Sequence, residues 1–416
     1  MALGGAYRTE HYSELSVSPP STSVTTQLAR RNIAAEYGEI RVPIFSALNA
    51  VPGIEQLTLS AAIRNDHYSD FGNTTNPKFG VSWFPVRDME LRGAYSTSFR
   101  PPSTGIQLAD GQEGTTGALL EGLPGPNGSA RTPVLLIIGA TPDLRPETAK
   151  NLTFGFDYKP SYLSGLHLSG NYYNIDYSNQ ISGPPASTNP LNTPAVASLV
   201  TQYPPGTLQS LVNSIVQNGH LFLDITRGAF GANAIANTVW LYDERLANLS
   251  STKTSGFDFG ANYLIHLGTD EFNSAVNLTY IDRFLIRLTP SAPQFSAVNT
   301  IGYPARVHLR GQETWTHGDF NLNLAANYVG GYPDTSSLMP RNVGAYTTVD
   351  IVGRYDLINA SQLLRGVSAT IAALNLLDRQ PPYVVSGTTA FVGSHYDPAN
   401  ASPLGRMIVL SITKRW

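Results

Sequence analysis

The chain has no cysteine among its 416 residues. That excludes disulfide frameworks, thiol nucleophiles and cysteine-held metals, and it leaves the compartment open. Charge is scarce too: Asp, Glu, Lys and Arg make up 14% of the residues, where ordinary soluble domains carry about 25%. A formal net charge of −3 provides no basic footprint, so nucleic acid is not an expected partner. Long apolar runs are also missing. The most apolar patch, VLLIIGA at 134–140, is far shorter than the roughly 18 residues a membrane-crossing helix requires. The opening residues, MALGGAYRTEHYSEL, lack the basic-then-apolar layout of a signal peptide. They read as a strand, and the sequence is expected to begin in mid-fold.

Enzymatic patterns are equally lacking. The histidines at 11, 67, 167, 220, 266, 308, 317 and 395 are scattered without metal-ligand spacing. Ser250 and Lys253 form an S-x-x-K string without its partner motifs. Asp110, Gln112 and Glu113 lie together in a loop but make no calcium-loop pattern. No phosphate-cradling or dinucleotide glycine pattern occurs. No catalytic, metal-binding or cofactor-binding set is expected, and the chain is not expected to be an enzyme.

What is present is alternation. Fourteen segments show period-two patterning: 2–13, 33–48, 56–68, 76–85, 89–99, 147–159, 165–178, 251–266, 271–284, 304–316, 319–329, 344–356, 365–376 and 403–416. Alternate side chains of a strand point to opposite faces. In 56–68, Leu57, Leu59, Ala61 and Ile63 oppose Thr58, Ser60, Arg64 and Asp66. In the last segment, Ile408, Leu410, Ile412 and Trp416 oppose Met407, Val409, Ser411 and Thr413. A soluble sandwich would turn the apolar face inward; a lipid-facing barrel would turn it outward around a wet lumen. Periodicity alone does not choose.

The connections do choose. They run long at 14–32, short at 49–55, medium at 69–75, short at 86–88 and long at 100–146. The alternation continues: short 160–164, long 179–250, short 267–270, long 285–303, short 317–318, long 330–343, short 357–364 and long 377–402. All long loops therefore gather at one end of an up-and-down sheet. Outer-membrane barrels have this asymmetry, with short periplasmic turns and long extracellular loops. The expected fold is an all-β transmembrane antiparallel barrel. Its last strand descends to set Trp416 in an aromatic girdle at the periplasmic rim. Of the long loops, 100–146 reads as flexible turn formers. Residues 206–218 place Leu208, Leu211, Val212, Ile215 and Val216 at helical spacing, predicting a short amphipathic helix.

Six stretches then resemble the C-terminal barrel region of TonB-dependent outer-membrane receptors. They are LTLSAAIRNDHYSDFGNTTNPKFGVSWFPV (57–86), LRGAYSTSFRPPS (91–103), DLRPETAKNLTFGFDYKP (143–160), SGFDFGANYLI (255–265), AALNLLDRQPPYV (372–384) and the final RMIVLSITKRW. The resemblance implies that 1–416 is the C-terminal portion of a barrel of about twenty-two strands. It also implies a Gram-negative outer-membrane location and energy-coupled uptake of a scarce nutrient of the iron-siderophore, cobalamin or glycan type. Outer-membrane lipid, a plug domain inside the barrel and the TonB energy-coupling complex would be partners of a full-length, monomeric protein. The plug, its TonB box and the first eight strands are expected to lie outside this sequence. A passive porin closed from the fourteen strands is the alternative, and a soluble all-β polysaccharide-acting protein the second.

Within that frame, Arg100 in SFRPPS either steers plug or substrate at the rim or caps a loop where Pro101 and Pro102 stop the strand. Arg145, Pro146 and Glu147 read the same way at the loop's far end. Arg64, Asp66, Lys78, Glu90, Arg92 and Asp157 are expected on the lumenal face. Substrate contacts are expected from loop aromatics, amides and acids: Tyr203, Asn218, Trp240, Tyr242, Tyr332, Asp334, Tyr383, Tyr396 and Asp397.

Overall fold

The computed structural model describes all residues except 18–23, 104–115, 124, 129, 142, 186, 188, 218–221, 227, 232, 335–340, 358–365, 386–394 and 415–416. Trp416 and Asn218 thus lie outside the described residues, as do Asp110, Gln112 and Glu113.

Fourteen long strands form one antiparallel wall in chain order. They are β1 (Ala2–Val17), β2 (Val24–Phe45), β3 (Gln56–Tyr68), β4 (Gly72–Val86) and β5 (Met89–Arg100). There follow β6 (Glu147–Tyr158), β7 (Leu166–Ser182), β8 (Ala247–Leu267), β9 (Asp270–Arg287) and β10 (Val307–His317). The last four are β11 (Phe320–Val329), β12 (Tyr346–Leu357), β13 (Val367–Leu374) and β14 (Met407–Lys414). The two-residue strand Phe295–Ser296 adds to β9. Every expected strand is present. Register puts the two side-chain sets on opposite faces, because directly paired residues share a face. Ile351, Leu324 and Glu313 pair across β12, β11 and β10; Asp350, Ala325 and Gln312 pair on the other side.

The apolar set stands in the open. On β14, Ile408, Leu410 and Ile412 are 66, 74 and 80% exposed. Phe79, Phe154, Phe259, Val276, Leu324 and Ile371 are exposed on the same side of the wall. A face this apolar and this continuous is satisfied by lipid rather than water. The other face carries Arg64, Asp66, Lys78, Glu90, Arg92 and Asp157, as expected from their parity. Among the described residues no helix is long and apolar enough to cross a membrane, which says nothing against crossing by strands.

Two connections differ from expectation. The medium loop at 69–75 is a three-residue turn, 69–71, because β4 begins at Gly72 with φ +92°, a conformation glycine adopts freely. Strands β1 and β2 also run past residue 13 and start before residue 33, shortening the first long loop.

The larger correction concerns 100–146, expected to be flexible. Its residues Thr116–Leu123 and Thr132–Ile138 are strands. With Val200–Gln202, Phe222–Asp224 and Trp240–Asp243 they build a five-stranded mixed sheet. Helix α1 (Thr207–Gln217), as predicted from spacing, lays Leu208, Val212 and Ile215 against Leu135, Ile137 and Leu241. Val134 and Tyr242 pack with Val196 on the opposite face. The VLLIIGA patch is therefore the centre strand of a cap, buried on both faces, which is why it reads as a continuous apolar run. Leu208→Ala is expected to destabilise the cap by about 2–3 kcal/mol, the low end for buried leucines because so small a unit can collapse around the gap. Limited proteolysis should then cut within 116–246 while the barrel keeps its folded mobility on unheated gels.

The AALNLLDRQPPYV stretch ends β13 by local chemistry. Asn375 and Asp378 take φ of +49° and +51°, the left-handed region that Asn and Asp tolerate best after glycine. The Asn375 side chain accepts from the Arg379 N–H at 2.9 Å and donates to its carbonyl at 3.0 Å. Asp378 accepts the Arg406 N–H at 2.8 Å, setting the chain that returns as β14.

Candidate functional site

The concave face and the loops above it hold the polar groups available for function. On the wall, Arg64 pairs with Asp66 at 2.8 Å. Arg92 pairs with Asp157, which also meets His167 at 2.7 Å. Glu90 accepts from Ser82 at 2.6 Å. Higher up, Arg31 is enclosed by Glu10 at 2.6 Å, Asp70 at 3.5 Å, the Tyr68 ring at 5.2 Å and the Pro102 carbonyl at 2.8 Å. This buried guanidinium ties the tops of β1 and β2 to the β3–β4 turn and to the start of the long loop after β5. Sequence reasoning missed it because its partners lie up to 71 positions away.

At the rim, Arg100 stands directly opposite Glu147 in the β5–β6 register, 3.6 Å apart. The arginine is 71% exposed and the glutamate only 3%. Glu147 accepts from the Ile181 N–H at 2.9 Å and from the Tyr177 hydroxyl. The acid is thus the anchor and the arginine its partly solvated partner. Glu147→Ala is expected to cost about 2–3 kcal/mol, since two partly buried donors lose their acceptor. Arg100→Ala should cost less than about 1 kcal/mol, as exposed ion pairs do. Urea unfolding in detergent separates the two.

The loop residues expected to touch substrate divide into two kinds. Tyr242 is buried in the cap, and its hydroxyl donates to the Pro185 carbonyl at 3.3 Å. Burial, reinforced by Glu244, raises its pKa, so it stays protonated. Tyr203 and Trp240 are half-buried, packed against the two cap cores. Asp334 is buried and accepts the Val385 N–H at 3.2 Å. Tyr332 is buried and donates to Asp397 at 2.6 Å; burial first, then that carboxylate, raises its pKa. Tyr396 is half-buried beside Asp397. Among the described residues of the set, only Tyr383 and Arg100 stand exposed. The Tyr383 ring carries the Arg341 guanidinium at 4.9 Å from its centroid and stacks on the His395 ring at 5.5 Å. Neither Arg341 nor His395 was signalled by the sequence, because the stack joins two separate loops.

Asp397 organises three of those loops. It is 1% exposed and accepts from Tyr332, from Asn400 Nδ2 at 2.8 Å, from the Gly302 N–H at 3.2 Å and from the Ala399 N–H at 3.0 Å. Asn400 in turn donates to the Tyr303 carbonyl at 2.7 Å and accepts the Ala305 N–H at 2.8 Å. The 288–306, 330–345 and 375–406 connections are therefore locked together through one carboxylate. Within the 288–306 connection, Ser291 separately bonds the cap, donating to Ser198 Oγ at 3.1 Å.

Comparison with known proteins places this geometry. The family model described as "TonB dependent receptor-like, beta-barrel" matches residues 2–376. Among solved structures, a double mutant of the ferric enterobactin receptor PfeA from Pseudomonas aeruginosa superposes with a TM-score of 0.61 at 16% identity. That match covers 99% of this chain and 50% of PfeA. The siderophore receptor PirA from Acinetobacter baumannii gives 0.59 at 15% identity, covering 99% of this chain and 51% of its own. The FrpB iron transporter from Neisseria meningitidis gives 0.50 at 12%, covering 96% and 46%. The chain spans about half the length of these structures. No curated protein sequence matches it. Strand β14 lies beyond the matched residues, yet its register with β13 makes it part of the same wall.

Proposed function

Since the chain belongs to the TonB-dependent receptor family, whose barrels sit in the Gram-negative outer membrane, we propose that it serves energy-coupled uptake of a ferric chelate of the siderophore class. We assign all of 1–416 to one barrel portion. The observation that carries the reading is the two-faced wall. Fourteen strands present a lipid-facing apolar side and a charged inner side, in the order of a receptor barrel. In the complete protein the inner charges would meet a plug domain, and TonB would supply the energy. The exposed Arg341–Tyr383–His395 stack is the best-placed loop group for a planar anionic cargo, by cation–π and stacking contacts.

A porin closed from these strands would need β1 to pair with β14. The sheet instead runs from β1 at one edge to β14 at the other, with no such pair among the described residues. Unpaired backbone at that seam is costly in lipid, where no water replaces the missing bonds.

The test is uptake of radiolabelled ferric enterobactin, cyanocobalamin and a labelled oligosaccharide by iron-starved cells with and without the gene. Energy-dependent ferric uptake that requires the gene supports the proposal. Uptake of only one of the other probes reassigns the cargo. Gene-dependent but energy-independent leakage of all three sinks the receptor reading in favour of a pore.

A further inference from the structure

Two stretches of the inner wall, β1–β6 and β8–β11, differ chemically. Strands β1 to β6 carry charge that the wall itself leaves partly uncompensated. Arg64 and Asp66 pair, but Glu39, Arg41 and Lys78 are exposed and make no ion pair among the described residues. Strands β8 to β11 are built instead from amides and hydroxyls that satisfy one another. Asn262 donates to Asn273 at 2.6 Å, Asn323 to Thr314 at 2.8 Å and Asn321 to Thr316 at 2.9 Å. The two mid-wall charges there are capped from within: Thr279 donates to Asp258 at 2.6 Å, and Arg310 donates to Asn327. Asn327 passes its own amide proton to Asp350 at 2.9 Å. Near the turns, Glu271 faces His266 at 3.6 Å.

These two stretches suit opposite tasks. A moving solute needs contacts favourable enough to enter but weak enough to leave. Fixed unpaired charges hold a charged solute or a charged partner in place. A self-satisfied amide wall instead carries a water layer whose hydrogen bonds exchange readily. We propose that the hydrated passage for cargo runs along the β8–β11 wall, past Asn273, Asn277, Thr314 and Asn323. The charged β1–β6 wall is the stationary side, where counter-charges bind. This rests on the receptor reading and assigns a side of the lumen to transport.

These 416 residues contain no cysteine, so the test is direct once any cysteine elsewhere in the expressed protein is replaced by serine. Asn277→Cys and Asn323→Cys mark one wall; Ser60→Cys and Ser96→Cys mark the other. Each is expressed from the native locus and treated, in intact cells, with an uncharged hydrophilic maleimide. Cysteines on the β8–β11 wall should react at least roughly tenfold faster, the difference between an open face and one reached only through local opening. Equal rates, or faster reaction at Ser60→Cys and Ser96→Cys, overturn the proposal. Folded gel mobility of each variant guards against misassembly. Leu324→Cys, on the outer face, checks the premise separately. It should react only with a lipid-soluble maleimide, and reaction with the hydrophilic reagent would refute the barrel itself.

Discussion

Arginine at Val276 is expected to stop the barrel assembling, whereas arginine at Asn277, the next residue, is expected to be tolerated. Both side chains are exposed in the structure, Val276 at 47%, so burial within the chain does not distinguish them. Parity does. Val276 pairs with Ala261 and Gly311 on the outer face, while Asn277 pairs with Gly260 and Arg310 on the inner. Both outer partners are small, so an arginine at 276 meets no steric bar. On β9 it sits midway between Phe272 and Tyr280, about 13 Å along the strand from each, and therefore near the centre of the apolar band. A cation at that depth costs about 2–4 kcal/mol, and snorkelling to either interface is hardest there. The readouts are the folded fraction on unheated gels and the unfolding free energy in lipid vesicles. In a soluble sheet the exposed Val276 would accept arginine freely, so equal tolerance at both sites would refute the lipid-facing assignment.

That contrast shows why the architecture was legible in the sequence. A strand wall in lipid obeys one rule at every position, and the rule has period two. Ile408, Leu410 and Ile412 declare their face without reference to any other strand, and the loop asymmetry then states which face meets lipid. Lengths were less legible. The β3–β4 turn reads longer than it is because Asn73, Thr74 and Thr75 look like loop residues, although the paired backbone runs through all three. In the cap, Gly and Pro punctuation around 124–133 suggested a flexible loop. Its order comes from Trp240–Asp243, more than a hundred residues later, which pairs in parallel with Val134–Ile137. Pairing across that distance leaves no local periodic mark beyond the apolar run itself.

The candidate site was legible mainly as residue types. Tyr332, Asp334, Tyr242 and Asp397 look like ligand-binding groups because aromatics, amides and acids in loops are what ligands touch. The same groups also lock loops together, and composition cannot separate the two uses. The deciding quantity is whether their polar atoms are already matched. Tyr383 and Arg100 remain open to solvent; Tyr332 and Asp397 are closed on each other. The partners that settle this, Asn400 and the Gly302 amide, come from segments up to 95 positions away.

Asp397→Ala should therefore loosen the extracellular loops far more than any change at the exposed Tyr383. The carboxylate is the acceptor for two side chains and two backbone amides, and it is sealed from water. Removing it strands the Tyr332 hydroxyl in a buried setting and the Gly302 N–H in a partly buried one, and leaves the Asn400 amide only the Tyr303 carbonyl of its two best acceptors. Each unsatisfied group costs about 1–3 kcal/mol, so the local penalty is about 4 kcal/mol or more, enough to open loops whose stability is local. Asp397→Asn keeps the shape and two acceptor lone pairs but adds two donors, placing an N–H against the donors already there. It should give an intermediate loss, and Tyr332→Phe a smaller one. Hydrogen exchange over 299–305, 330–334 and 395–401 should rise in that order, with β3 to β11 unchanged. Because the 288–306 connection, held at Gly302 by Asp397, also bonds the cap through Ser291 and Ser198, the cap should also become easier to cleave in Asp397→Ala. If exchange rises only at 395–401, Asp397 holds its own loop and the three connections are independent.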